Sequence, residues 1–194
     1  MKKTILPLLL ASLFLTSCGE TSQGFQKTNI RWEQLMKNTL YAEQYWDDLT
    51  NRMVDLQMAG EKDPVKSTLI DEVRKMALQN SKAEGKKRRE GKIGAFVPGQ
   101  ENAQGHALLH ANLLDLSTDF STSPGPSLKI YLSTVVDPRE GSFPDDTAIE
   151  LDRLVSPYGS QQYTLPDDTD TAELRTVVLY DNRLNRIYGF AQLQ

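Results

Sequence analysis

The chain holds one cysteine, Cys18, among 194 residues, two histidines, His106 and His110, and no apolar run of membrane length beyond its first fifteen positions. Each scarcity excludes something. A lone thiol makes no internal disulfide, so the fold must rest on a packed core, which a domain of this size can supply. It also removes any dithiol redox couple. If the histidine segment is a strand, four residues at about 3.3 Å each separate the two imidazoles by about 13 Å, too far to share one ion. They are expected as surface or partly buried side chains. Gly-x-Ser-x-Gly, His-Glu-x-x-His and a glycine-rich phosphate loop are all absent. The acidic runs Asp145-Asp146 and Asp167-Asp168-Thr169-Asp170 lack the glycine and ligand spacing of a calcium loop and are expected as solvated turns. No catalytic residue, no metal site and no resident cofactor are therefore expected, and the protein is expected not to be an enzyme.

What is present at the N-terminus is more telling. Met1-Lys2-Lys3 precedes an apolar run from Ile5 to Leu15, which ends in Thr16-Ser17-Cys18. A positive start, a core too short to span a bilayer and small residues at its end make a secretory signal over residues 1–17. Small residues before a cysteine resemble bacterial lipoprotein signals, and that resemblance implies cleavage before Cys18 and acylation of its thiol and new amino group. At roughly 0.8 kcal/mol per buried methylene, two or three chains such as palmitate hold a protein far more firmly than one. Residues 18–28, rich in Ser, Thr, Gln and Gly, then read as a flexible tether. Gly19, where an aspartate would resemble an inner-membrane retention signal, points to the periplasmic face of the outer membrane.

Charge divides the rest. From Gly19 to Gly91 there are 13 Lys and Arg against 12 Asp and Glu; from Lys92 to Gln194 the counts are 7 and 14. The acidic distal part argues against nucleic acid or anionic lipid as its partner and favours a basic one.

The period of the apolar residues changes at the same place. Trp32, Leu35, Thr39, Ala42, Trp46, Leu49, Met53 and Leu56 recur by threes and fours, which predicts a single helix from Asn29 to Gly60. Asp63-Pro64 offers an N-cap and a first-turn proline to a second helix carrying Val65, Leu69, Ile70, Val73, Met76 and Ala77. An antiparallel hairpin over 29–85 follows, its two seams packing on each other or on the next domain. Lys86-Lys87-Arg88-Arg89 closes the second helix as a solvated end that complements its dipole, and a basic linker over 86–92 leads through Gly91 to the next region. From Ile93 the chain breaks into short extended runs between Gly, Pro, Asp and Ser: 93–97, 107–109, 113–116, 128–134, 148–151, 162–165, 176–180 and 187–193. The expected fold class is α+β, a helical hairpin followed by an all-β sandwich-like domain over 93–194.

Several segments of that domain, in order, resemble one family. They are Gly94-Ala95-Phe96-Val97; Asp119-Phe120; Gly125-Pro126-Ser127-Leu128-Lys129-Ile130-Tyr131-Leu132-Ser133; Leu154, Gly159, Gln161, Tyr163 and Pro166; and Val177 to Tyr180 with Tyr188-Gly189-Phe190-Ala191. Together they are similar to the electron-transfer DM-thirteen domain, the module that accompanies DOMON domains in Skeletor-type proteins. The resemblance implies a β-sandwich-like fold, motif positions at Gly125, Pro126, Leu128, Tyr131, Gln161 and Tyr163, and electron transfer through a cysteine in the penultimate strand. The aligned position here is Asp181, an acid that cannot cycle between redox states. The expected function is therefore a membrane-anchored envelope binding or assembly module, offering loops 122–125 and 137–146 to an envelope protein or a small ligand. The alternative is an electron-transfer accessory that uses a bound cofactor or redox partner in place of the thiol.

Overall fold

The computed structural model describes residues 31–194. The expected signal peptide, Cys18 and the tether lie outside the described residues.

The long helix expected from Asn29 to Gly60 is divided. Residues 31–35 are helical, the backbone turns at 36–38, and α1 runs Thr39–Met58. Asn38 causes the break. Its side-chain oxygen accepts from Tyr41 N at 2.9 Å, capping α1, while Nδ2 donates to Leu116 O at 2.9 Å and Gln161 O at 2.8 Å. A carboxamide that satisfies both a helix end and two strand carbonyls is worth burying, and Asn38 is 2 % exposed. The apolar period runs through this junction because Trp32 before it and Ala42 after it stay in phase; Trp32 nevertheless lies 41 % exposed.

The second helix, α2, spans Pro64–Glu90, with Asp63 accepting from Val65 N and Lys66 N as its N-cap. The basic run ends the helix as expected, but the linker bounds 86–92 are corrected: Lys86 to Glu90 form the last turns of α2, and Gly91 alone separates the helix from the first strand. Like charges in sequence are tolerated there because partners meet them. Arg88 Nε donates to Glu43 Oε2 of α1 at 2.7 Å, Lys87 pairs with Glu84 at 2.8 Å, and cations suit a helix C-terminus. Ile70, Ala77, Ser81 and Gly85 form the buried stripe of α2. At Gly85 a Cβ would stand 2.9 Å from Glu43 Oε1, which shows how closely α1 and α2 approach there.

The remainder is antiparallel sheet: β1 Lys92–Pro98, β2 Ala103–Gln104, β3 His106–His110, β4 Leu113–Leu116, β5 Ser121–Thr122, β6 Leu128–Ser133, β7 Ile149–Arg153, β8 Gln161–Thr164, β9 Thr176–Asp181 and β10 Arg186–Gln192. Eight strands in the order β7-β6-β9-β10-β1-β3-β4-β8 curl into a nearly closed barrel, and β2 and β5 form a separate pair. The fold is α+β. β1 makes the curl possible: residues 92–95 pair with β3 and residues 96–98 with β10. Where it changes partner stands Gly94, whose missing Cβ would lie 2.1 Å from Gln192 O.

Strand alternation sorts the side chains. Leu109, Leu114, Leu116, Leu128, Ile130, Leu132, Val177 and Leu179 point inward and form the main core with Phe96 and Phe120. Outside, Tyr131, Val178, Tyr180 and Phe190 make a second cluster under the segment 134–148, which covers them with Phe143 and Ala148. The hairpin takes another part of the outer wall: Thr39 N donates to Asp115 Oδ2 of β4 at 2.7 Å, and Thr118 Oγ1 donates to Gln44 Oε1 at 2.5 Å.

Candidate functional site

The motif residues gather at three places around the barrel. Asp181, the last residue of β9, is fully buried. Its Oδ1 accepts from Arg183 N at 2.9 Å and Leu184 N at 3.0 Å, which folds the chain into the turn to β10. Its Oδ2 accepts from Ser127 N at 2.8 Å, which ties the 125–127 loop to that turn. Burial works against the charge of Asp181, but the three N–H groups more than offset it, so its pKa falls below the ordinary carboxylate value. Gly125 explains why Gly-Pro stands before β6: a Cβ there would meet Asp181 Oδ2 at 2.7 Å and Tyr188 Oη at 2.8 Å. Burial, with Asp181 and Glu101 adding negative charge, pushes the Tyr188 phenol up.

Beside this turn lies the outer aromatic cluster. Tyr131, Phe143 and Tyr180 meet edge to face at centroid separations of 5.2 to 6.1 Å. Tyr131 Oη donates to Glu150 Oε2 at 2.7 Å and lies 2.9 Å from Asn182 Oδ1. Burial and then Glu150 raise its pKa to about 12. Glu150 in turn is lowered by Lys129 and by Tyr131. Next to Phe143 and Tyr180 opens a pocket of about 380 Å³, completed by Gln100, Asn185, Ile187 and Arg139, whose guanidinium stacks 4.7 Å above the Phe190 ring and pairs with Asp137. The expected loop 137–146 supplies one wall of it.

Gln161 and Tyr163 of β8 serve the opposite edge. Tyr163 Oη donates to Gln161 Oε1 at 2.7 Å and accepts from Val155 N at 3.2 Å. Gln161 also accepts from Ser156 N and donates to Ser156 O. The pair pins the loop 154–160 between β7 and β8, where Gly159 adopts a left-handed φ of 80°. Burial raises the Tyr163 pKa to about 12. Leu128 is plain core.

The histidines lie on β3, four residues apart on its outer face, as the strand reading requires. His106 is exposed. His110 Nε2 lies 3.0 Å from Asp115 Oδ2 and 3.2 Å from Thr39 Oγ1. Threonine, histidine and aspartate thus meet, but both contacts use the same ring nitrogen, whereas a proton relay needs two. Gln162 Nε2 satisfies the other Asp115 oxygen at 2.8 Å. This cluster seats the hairpin. Among the described residues, no three His, Asp or Glu side chains converge as metal ligands.

A family model described as Electron transfer DM13 matches residues 95–193, just over half of the chain. The chain belongs to the Electron transfer DM13 family. No curated protein matches it, and no solved structure does. The DM13 match begins in β1 and ends just after β10, so it takes in the barrel and excludes the hairpin. Within the DM13 barrel, Gly125, Tyr131 and Asp181 come together at one end while Gln161 and Tyr163 act at the β7–β8 edge. Sequence reasoning reached Arg139 and Phe143 only as members of loop 137–146 and did not find Asn182 or Asn185. They sit in turns without periodicity, and only the fold brings them against Tyr131 and Tyr180.

Proposed function

We propose that this DM13 protein is a lipid-anchored envelope protein, held through Cys18 on the periplasmic face of the outer membrane, whose barrel is a binding or assembly module rather than an enzyme. The observation that carries this reading is the state of Asp181. At the position where the family resemblance places a redox cysteine, a carboxylate accepts three backbone N–H bonds and acts as a staple for two loops. Both oxygens already hold backbone donors in a fully buried site, so we derive no electron-transfer step there. The open pocket beside it, with aromatic walls and carboxamide and guanidinium rims, is the kind of surface that recognises a small ligand or a protein loop.

The family's description keeps a second reading alive, in which a carrier bound elsewhere moves electrons. One preparation tests both. Protein extracted from membranes without chelator is analysed for metal, for visible absorption and for the mass of its N-terminal peptide. The binding reading expects an acylated Cys18 and a colourless, metal-free protein that crosslinks to an envelope partner. Stoichiometric metal or a visible band would overturn it in favour of electron transfer, and an unmodified Cys18 would overturn the anchor.

A further inference from the structure

Where the hairpin's leading residues meet the β7–β8 loop, a second cavity of about 550 Å³ opens, and its chemistry differs from that of the rest of the barrel. Arg31 and Lys37 line it, both exposed, and among the described residues neither forms an ion pair. Gln34 adds a side-chain amide, whereas the Ser156 hydroxyl is already engaged by Tyr158 O and N, and Ser160 Oγ is shut off from the cavity. No carboxylate lines the cavity. Asp115 lies behind it, but Thr39 N, His110 and Gln162 already engage its oxygens, and Glu33 on the same helical turn is exposed outside the lining. The acidic average of the barrel does not apply here, because both cations come from the segment before α1.

The rim is apolar. Val155 is 78 % exposed and Tyr158 65 % exposed, and both line the cavity mouth, with Trp32 on the adjoining turn. Two cations, a side-chain amide and exposed aromatic and branched side chains on one rim are the combination that suits a membrane interface, where phosphate meets acyl chain.

We infer that this cavity takes the phosphodiester of an anionic phospholipid headgroup, with Val155 and Tyr158 entering the interface beside it. The inference rests on the anchoring reading, which brings the fold to a lipid surface. Phosphate would accept from the Arg31 guanidinium and the Lys37 ammonium.

The test is a titration of the isotope-labelled full chain, followed by amide NMR, with three probes: inorganic phosphate, soluble dihexanoyl phosphatidylglycerol and dihexanoyl phosphatidylcholine. Saturable shifts at residues 31–37 and 155–162 are expected with phosphatidylglycerol, weaker ones with phosphatidylcholine. R31S/K37S should weaken phosphatidylglycerol binding roughly 30-fold, about fivefold per cation. V155S/Y158S, exposed and neutral to stability, should weaken lipid but not inorganic phosphate. Binding of inorganic phosphate alone would overturn the lipid assignment, and binding of neither would overturn the site. The mass of the Cys18 peptide reports on the anchor separately: a lipid probe that binds a chain without acyl groups leaves the site standing and removes the anchor.

Discussion

Replacing Asp181 by asparagine changes one atom and should cost the barrel end dearly. The Asn Oδ1 can still accept from Arg183 N and Leu184 N, but Nδ2 would face the N–H of Ser127, donor against donor, in a site with no exposure. Losing a charge-assisted bond costs about 1.5–3 kcal/mol, and the stranded Ser127 N–H adds to it, so about 3 kcal/mol is expected for D181N. Cysteine is worse as an acceptor, and D181C, which restores the residue type the family resemblance implies, should lose at least as much. In a domain of this size, 3 kcal/mol corresponds to about 6–12 °C in Tm. The pH dependence identifies the mechanism. Because the folded pKa lies below the ordinary 3.8, the native state favours the ionised form, and its contribution is complete above 3.8 and lost as pH falls through the folded value. Urea denaturation of wild type and D181N from pH 7 down to pH 2.5 should therefore show a gap that is constant to about pH 4 and then narrows. A D181N protein as stable as wild type at pH 7, or a gap that persists unchanged into acid, would refute the staple.

Three further outcomes follow from the geometry. Asn38→Ala removes a helix cap and two donors to strand carbonyls, so urea denaturation should show a loss of about 2–4 kcal/mol, whereas Asn38→Asp should keep the cap yet still lose the carbonyl bonds. Spectrophotometric titration should find phenols, Tyr131 and Tyr163 among them, that ionise only near pH 12; since both are raised from 10, stability should hold below pH 10 and fall as pH climbs from 10 to about 12. Y163F should flatten part of that fall. Gly94→Ala, which sets a Cβ 2.1 Å from Gln192 O, must push β1 away from β10 and should prevent a cooperative unfolding transition, while Gly141→Ala, with open space around it, should be silent in the same assay.

Strand alternation was the most legible signal in the chain. Leu128, Ile130 and Leu132 announce one buried face, and all eight strands of the main sheet fall within a few residues of their expected places. The β2–β5 pair was invisible because two residues carry no period. The break at Asn38 was hidden for the opposite reason: the apolar period continues across it, and the cap takes its meaning from Leu116 and Gln161, 78 and 123 residues away. The four basic residues were legible as a helix end, but the pairing of Arg88 with Glu43 was not, because Glu43 lies on the other helix. At the site, Asp181 was legible as a departure from a family pattern, but its role as a staple was not, since its three donors come from two loops joined only in the fold.

The seating of Asn38 also decides how force would travel. A pull on the chain at Arg31 reaches Asn38 within seven residues and passes through its side chain into Leu116 of β4 and Gln161 of β8. The covalent route to the barrel is far longer, up α1 and back down α2 to Gly91. The hairpin therefore hangs outside the load path. Tension would peel the barrel wall at β4 and β8 before it stretched either helix, and α1 and α2 would stay unstrained until the Asn38 contacts gave way.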